Sequence, residues 1–310
     1  MTSPAITVGI PSYCGADDGE DDLLAMCLRA IRVRSCTEVD YEVVVVDDSG
    51  RAEHQAKSRV LSEKYGARWL CHETNRGISA AWNTLARAAL AEDVVLLNDD
   101  FFVSRGWLEA LTYFLRENSE AGSVGLFAYY VLHQDVPWIL DGPDVETVPR
   151  HHETKCEMPE AAVEHTGREL PGRVMCPPGC AFAFTREKYD LVGGFDEVRY
   201  RQFYNESSFG TALAARGFPS YFLQWPACYT IMSATFGRSP ELLPERDAFA
   251  VPRANYVAQW DGHTDVTHPR FMSRIPFQRV RWLDLDGPRE AVITSEYGAR
   301  PCVAAGSGGK

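Results

Sequence analysis

Four consecutive valines at 43–46, closed by Asp47, Asp48, Ser49 and Gly50, constrain this chain more than any other stretch. An unbroken β-branched run suits a strand buried on both faces, and such strands belong to parallel sheets covered by helices. The neighbouring patterns agree. Residues 6–10 form a short β-rich run ending at Pro11, and 23–33 carry Leu24, Cys27, Leu28 and Ile31 at helical spacing. After the valines, 55–65 read as a helix, 67–71 as a strand, 78–90 as a helix and 93–97 as a strand that runs into Asn98, Asp99 and Asp100. Strand and helix alternating in this way predict an α/β fold with a mostly parallel central sheet flanked by helices.

In such sheets ligands bind in the crevice beyond the carboxyl ends of the strands. Pro11, Ser12 and Tyr13, the pair Asp47 and Asp48, and the trio Asn98, Asp99 and Asp100 all fall at those ends and so line one crevice. Adjacent carboxylates delivered there by a buried strand suit a hard divalent cation, because Mg²⁺ or Mn²⁺ is held by one or two carboxylates together with substrate phosphates. The bland alternative, a polar turn closing a strand, stands equally well on the trio alone. A carboxylate after 43–46 can accept hydrogen bonds from a base or ribose, or can simply cap a turn. No G-x-G-x-x-G follows the first strand and no G-x-x-x-x-G-K-[ST] occurs anywhere, which removes the main support for dinucleotide oxidoreductase and P-loop readings.

Further along, 107–115 read as a helix and 124–131 as a strand. Residues 134–172 then lose any period and carry nine acidic side chains against three basic ones, as in a long loop or insertion. The pattern resumes with a strand over 174–185 passing through a Pro-Pro-Gly turn, a helix over 186–192 stopped by Gly193 and Gly194, and a helix over 209–216. Beyond 238 the chain is rich in Pro, Arg and aromatics. The expected division is a catalytic unit over 1–238 and a C-terminal extension over 239–310 that packs on it, with a flexible tail from about 304.

Composition bounds the function. With 31 basic and 43 acidic side chains among 310 residues the formal charge is −12, so the molecule as a whole repels nucleic acid. No run approaches the roughly 18 apolar residues of a membrane span, and the opening residues lack a signal-peptide pattern, so the cytoplasm is the expected compartment. The nine cysteines are scattered and read as free thiols of a reducing cell. Cys176 and Cys180, which flank the Pro-Pro-Gly turn, are the one pair with spacing for a disulfide or a metal.

Taken in order, IPSY at 10–13, VVVVDDSG at 43–50, NRGISAAWN at 75–83, LLNDDFFVSRGWLEAL at 96–111 and VGGFDE at 192–197 resemble the successive motifs of glycosyltransferase family 2. The resemblance spans about 5–236 and implies the GT-A fold, a Rossmann-like sheet with helices on both sides. It implies transfer of a sugar, with inversion, from a UDP, GDP or dTDP sugar to an acceptor hydroxyl, assisted by Mn²⁺ or Mg²⁺. On that resemblance Pro11, Ser12 and Tyr13 lie beside the base and Asp47 or Asp48 bonds it. Asn75, Gly77 and Asn83 shape the nucleotide pocket, Asn98 belongs to the nucleotide-sugar-binding set, Asp99 faces the ribose, and Asp100 ligates the metal.

The family's downstream acidic motif is altered here to Asn205-Glu206-Ser207-Ser208-Phe209, and spacing aligns Glu206 with the catalytic base. Asp196 in the GGFDE turn is the competing acid. The acceptor side is expected at Gly179, Cys180, Asp196 and the 134–172 insertion, whose negative charge favours a neutral or basic acceptor. A histidine usual after this helix is missing from 229–236, and His263 or His268 can substitute. The acceptor itself, whether glycan, protein, small metabolite or modified base, is left open. Two other readings remain: a catalytically silent nucleotide-sugar or glycan-binding protein, and a sugar-phosphate nucleotidyltransferase. The latter should carry a Gly-rich basic loop after the first strand, where this chain has Asp17, Asp18, Glu20, Asp21 and Asp22.

Overall fold

A computed structural model of the chain describes residues 4–13, 22–35, 38–131, 171–174, 176–231, 249–260, 278–284 and 286–293. Its first half is the expected alternation: β1 (Ile6–Ser12), α1 (Leu23–Arg34), β2 (Tyr41–Asp47), α2 (Ala52–Lys64), β3 (Arg68–Cys71), α3 (Ile78–Ala88) and β4 (Asp93–Leu97). The short β5 (Phe101–Phe102), α4 (Trp107–Glu117) and β6 (Ser123–Tyr130) follow. Then come β7 (Gly172–Val174), β8 (Ala181–Thr185), α5 (Arg186–Val192), α6 (Asn205–Ala214), β9 (Ser220–Thr230), α7 (Ala250–Gln259) and the hairpin β10 (Gln278–Asp284) and β11 (Gly287–Ile293).

Nine strands form one sheet in the order β3-β2-β1-β4-β8-β6-β9-β5, with β7 also on β9. The β3-β2-β1-β4 half is parallel throughout. Beyond it β8 runs antiparallel to both β4 and β6, while β6 and β9 are parallel. Alternation along the strands divides the core between two faces. Val45, Val95, Leu97, Ala181 and Ala183 pack with α1 and α4. Val44, Val46, Val94, Leu96, Phe182 and Phe184 pack with α3, α5 and α6. Burial on both faces is what the four-valine run requires.

Several elements differ from the sequence reading, which had no counterpart for β5, α7, β10 or β11. The run at 174–185 is two strands, β7 on β9 and β8 between β4 and β6, because Pro177 and Pro178 break the ladder between them. The strand β9 had no sequence counterpart, since Gln224, Trp225 and Pro226 interrupt its apolar pattern. The helix expected over 209–216 begins four residues earlier, at Asn205, so Glu206 stands in its first turn.

The described residues beyond 238 lie against the rest of the fold. Asn118 at the end of α4 exchanges two hydrogen bonds with the Arg281 backbone, 2.6 and 2.8 Å, and Val280 and Trp282 enter the core. On α7, the Tyr256 hydroxyl meets Thr211 Oγ1 of α6 at 2.7 Å, and Gln259 accepts from the Tyr200 hydroxyl. Among the described residues no helix is long and apolar enough to cross a membrane. Most of the insertion, the tail from 304, His263 and His268 lie outside the described residues.

Candidate active site

A cavity of about 250 Å³ opens at the carboxyl ends of β1, β2 and β4. Pro11, Ser12, Tyr13, Asp48, Asn75, Gly77, Asn98, Asp99, Asp100, Gly179 and Glu206, all named from the sequence, line it. The sheet register accounts for this gathering. Ser12 stands opposite Asp47, and Gly9 opposite Leu96 in the other neighbour, which carries Ser12 level with Asp99. Ser12 Oγ accordingly donates to Asp99 Oδ2 at 2.8 Å, and both side chains are buried. Tyr13 is held by Arg51, whose guanidinium lies 5.2 Å from the ring centroid and donates to the Tyr13 carbonyl at 2.7 Å.

The two acids after β2 part company. Asp47, in phase with Val45, turns to the α2 side, away from the cavity. There it accepts from Ser49 N and Oγ, His54 Nδ1 and Ser58 Oγ at 2.5–2.9 Å. Burial opposes its ionisation, but the hydrogen bonds from His54, Ser49 and Ser58 prevail and hold its carboxyl below the ordinary range. Asp48 faces the cavity and ties down the NRG segment. Its Oδ1 accepts from His72 Nδ1 and Arg76 N, and its Oδ2 from Gly77 N at 2.7 Å. His72 is itself fixed by Thr84 Oγ1 at 2.9 Å. Gly77 sits at φ +92°, and a Cβ there would stand 2.4 Å from Arg201 Cγ, so no other residue fits this turn.

Asn83 is placed as a brace and does not line the cavity. Its amide donates to the Phe195 carbonyl and Glu197, and accepts from Phe195 N and the Tyr189 hydroxyl, which locks α3 to the GGFDE turn. Asp196 likewise caps its own turn, accepting from Val198 N and Arg199 N at 3.0 and 2.9 Å. Phe195 of this turn stacks on Phe209 of α6 at 4.6 Å, and through that contact the turn positions the helix bearing Glu206. Cys180 supports the trio from behind, its carbonyl accepting from Asn98 N at 2.9 Å, and neither it nor Cys176 is in a disulfide.

Glu206 is half-buried at the mouth of α6. Burial raises its pKa above the ordinary glutamate value, against the opposing effect of hydrogen bonds from its own backbone and Ser207. A Cβ added at Gly179 would stand 3.2 Å from Glu206 Cδ, so the glycine leaves the carboxylate room. Cys176 lies close by, its thiol pushed up to about 12 by burial and then by the Glu206 charge.

Four carboxylates therefore share the cavity, and among its described lining residues there is no Lys, Arg or His. Among the described residues no three His, Cys, Asp or Glu side chains form a self-sufficient metal cluster. The oxygen donors present fit a hard cation that completes its shell with phosphate and water. Sequence reasoning missed Ile78, Ala81, Trp82, Gln202 and Asn205 on the lining. The spacing of 78, 81 and 82 on one face of α3, just after Gly77, was the available signal for the first three.

The sequence model described as Glycosyl transferase family 2 matches residues 7–191, well over half of the chain. Among solved structures, the mannosyltransferase PcManGT from Pyrobaculum calidifontis, in complex with GDP-Man and Mn²⁺, is 18% identical. It superposes with a TM-score of 0.58 over 87% of this chain and 72% of its own. The crystal structure of GalNAc-T7 with UDP, GalNAc and Mn²⁺ is 14% identical with a TM-score of 0.54, covering 74% of this chain and 44% of GalNAc-T7. No curated protein sequence matches the chain. At such identities the likeness is one of fold, the GT-A arrangement of a central sheet between helices. With the family's match running from β1 through the acidic trio to α5, the chain belongs to glycosyl transferase family 2.

Proposed function

We propose that the protein is a divalent-cation-dependent, inverting glycosyltransferase that moves a sugar from a UDP, GDP or dTDP sugar to an acceptor hydroxyl. The observation that carries the reading is the charge of the cavity. Asp48, Asp99, Asp100 and Glu206 line it with no basic side chain among the described lining residues, so a diphosphate entering alone faces four carboxylates with no cation on the cavity wall to offset them. A family built for nucleotide sugars and a cavity that rejects bare phosphates are reconciled by a cation. Asp100, with Asp99 beside it, would hold that cation. A bound Mn²⁺ or Mg²⁺ there supplies Lewis-acid neutralisation of the diphosphate oxygens. The Mn²⁺ present in both structural neighbours supports the same reading.

The chain's own groups divide the remaining work. Asp48 Oδ2, which spends one lone pair on Gly77 N, keeps capacity to accept an N–H from a base, and Tyr13 flanks that position. Glu206, across the cavity beside Gly179, takes the proton of the acceptor hydroxyl as it attacks the anomeric carbon. Its raised pKa makes it a stronger base once ionised. Asp196, engaged by two backbone amides, stays a turn cap. The acceptor enters from the side of Gly179.

The test is a turnover screen of UDP, GDP and dTDP sugars with Mn²⁺, following release of the nucleoside diphosphate. Release that requires both Mn²⁺ and Glu206 supports the enzyme. Tight nucleotide-sugar binding with no release or transfer, in the presence of a broad acceptor panel, would establish a silent binding protein instead.

A further inference from the structure

Most polar groups on the cavity wall are engaged, but Trp82 Nε1, Asn98 Oδ1 and Asn205 Nδ2 make no hydrogen bond among the described residues. Trp82 and Asn205 are only 2% and 3% exposed. Native proteins seldom leave buried donors of this kind unmatched, and where they do, a ligand commonly completes the set. Both side chains are also fixed. The Trp82 ring is clamped edge-on by Phe182 at 5.2 Å and by the tilted ring of Phe195 at 5.1 Å. Asn205 is oriented because its Oδ1 accepts from Glu206 N at 3.2 Å, which leaves the NH₂ group for another partner.

The missing partners have a definite chemistry. Two N–H groups need acceptor oxygens, while Asn98 Oδ1 needs a donor. A phosphate offers acceptors only and would be repelled by Asp99 next to Asn98, whereas a hydroxyl both donates and accepts. Asn205 immediately precedes Glu206, so its amide lies at the reacting end of the cavity. Building on the donor reading above, we propose that Trp82 and Asn205 select the donor sugar, each giving its N–H to a sugar oxygen while Asn98 accepts from a sugar hydroxyl. Sites that hydrogen-bond a substrate hydroxyl reject analogues lacking it far more strongly than apolar pockets do, so these side chains set which sugar is used.

The experiment compares each nucleotide with its sugar conjugate by calorimetry in Mn²⁺: UDP with UDP-glucose, GDP with GDP-mannose and dTDP with dTDP-glucose. Wild type, Trp82→Phe and Asn205→Ala are used, each checked by thermal melting. For the nucleotide that wild type binds, both variants should keep the diphosphate affinity within about twofold. Affinity for the sugar conjugate should fall about 5- to 30-fold, the effect of losing one hydrogen bond to a fixed donor. An equal loss for diphosphate and conjugate would place the N–H groups on phosphate and overturn the proposal. No loss for either would mean that trapped water satisfies them, and overturn it as well. Failure of wild type to bind any of the six compounds would instead overturn the donor reading on which it rests.

Discussion

Replacing Glu206 by glutamine keeps shape and volume while removing the carboxylate proposed above to accept the acceptor's proton. The carboxylate is desolvated between Gly179 and the first turn of α6, and burial raises its pKa above the ordinary glutamate value. Two effects follow with opposite signs for activity and stability. A positioned base contributes about 10²- to 10⁴-fold, or about 3 to 5.5 kcal/mol of barrier, so turnover in Glu206→Gln should fall by at least 10² with donor affinity nearly unchanged. Because the folded-state pKa exceeds the unfolded one, the native protein holds this proton more tightly. Its stability therefore declines as pH rises from the ordinary glutamate range through the raised pKa. Glu206→Gln removes that penalty and should melt at a higher temperature than wild type at pH 7.5, the gap closing near pH 4. The assays are steady-state release of nucleoside diphosphate across pH and thermal melting at the same pH values. The wild-type acid limb should lie above the normal glutamate range, and Glu206→Asp should retain measurable turnover. Full turnover in Glu206→Gln together with its loss in Asp196→Asn would refute the assignment and move the base to the GGFDE turn.

The neighbouring acids after β2 should separate cleanly. Asp47→Ala strands donors from Ser49, His54 and Ser58 in the core and should cost about 3–5 kcal/mol, read by urea unfolding. Asp48→Ala frees His72 and the Arg76 and Gly77 amides and so also lowers stability, but it should in addition change discrimination among UDP, GDP and dTDP by about tenfold or more. The depressed Asp47 pKa predicts stability that is present above the ordinary aspartate range and lost as pH falls through the folded-state value. Asp93, at the other end of β4, has its pKa raised by burial to about 6, against the pull of Arg116 and with Glu92 adding to the rise. Asp93→Asn should thus stabilise the protein by about 2–3 kcal/mol at pH 7.5 and by almost nothing below pH 4, again by urea unfolding.

The parallel half of the sheet was legible because its signals are local. An unbroken valine run, apolar residues at helical spacing and polar residues at strand ends each follow from burial within a few positions. The strand β9 hides because its pairing with β6, β7 and β5 is long-range and its own middle, Gln224-Trp225-Pro226, carries no period. At the site, the acidic trio and Gly77 were legible because few residue types suit a strand-end crevice or a φ of +92°. Which of Asp47 and Asp48 faces the cavity depends on the phase of β2, and that phase is set by neighbours. His54 and Ser58, four apart on α2, meet Asp47 only after α2 packs. Asn83 looked like a pocket residue and serves as a four-bond brace, since its partners Tyr189, Phe195 and Glu197 lie more than a hundred positions away. Trp82 belongs to the core cluster around Phe182 and Phe195, and its place on the cavity wall and its unmatched Nε1 become visible only once α3 packs.

On the proposed function, a diphosphate enters the cavity of four carboxylates only in company with a divalent cation held at Asp100. Calorimetric titration of UDP, GDP and dTDP into wild type and Asp100→Ala, in Mn²⁺ and in EDTA, tests it directly. At least one nucleotide should bind wild type in Mn²⁺, weaken by 10²-fold or more in EDTA, and bind Asp100→Ala weakly in both, with the variant melting no lower than wild type. Equal affinity of wild type for the nucleotide in Mn²⁺ and in EDTA would contradict it.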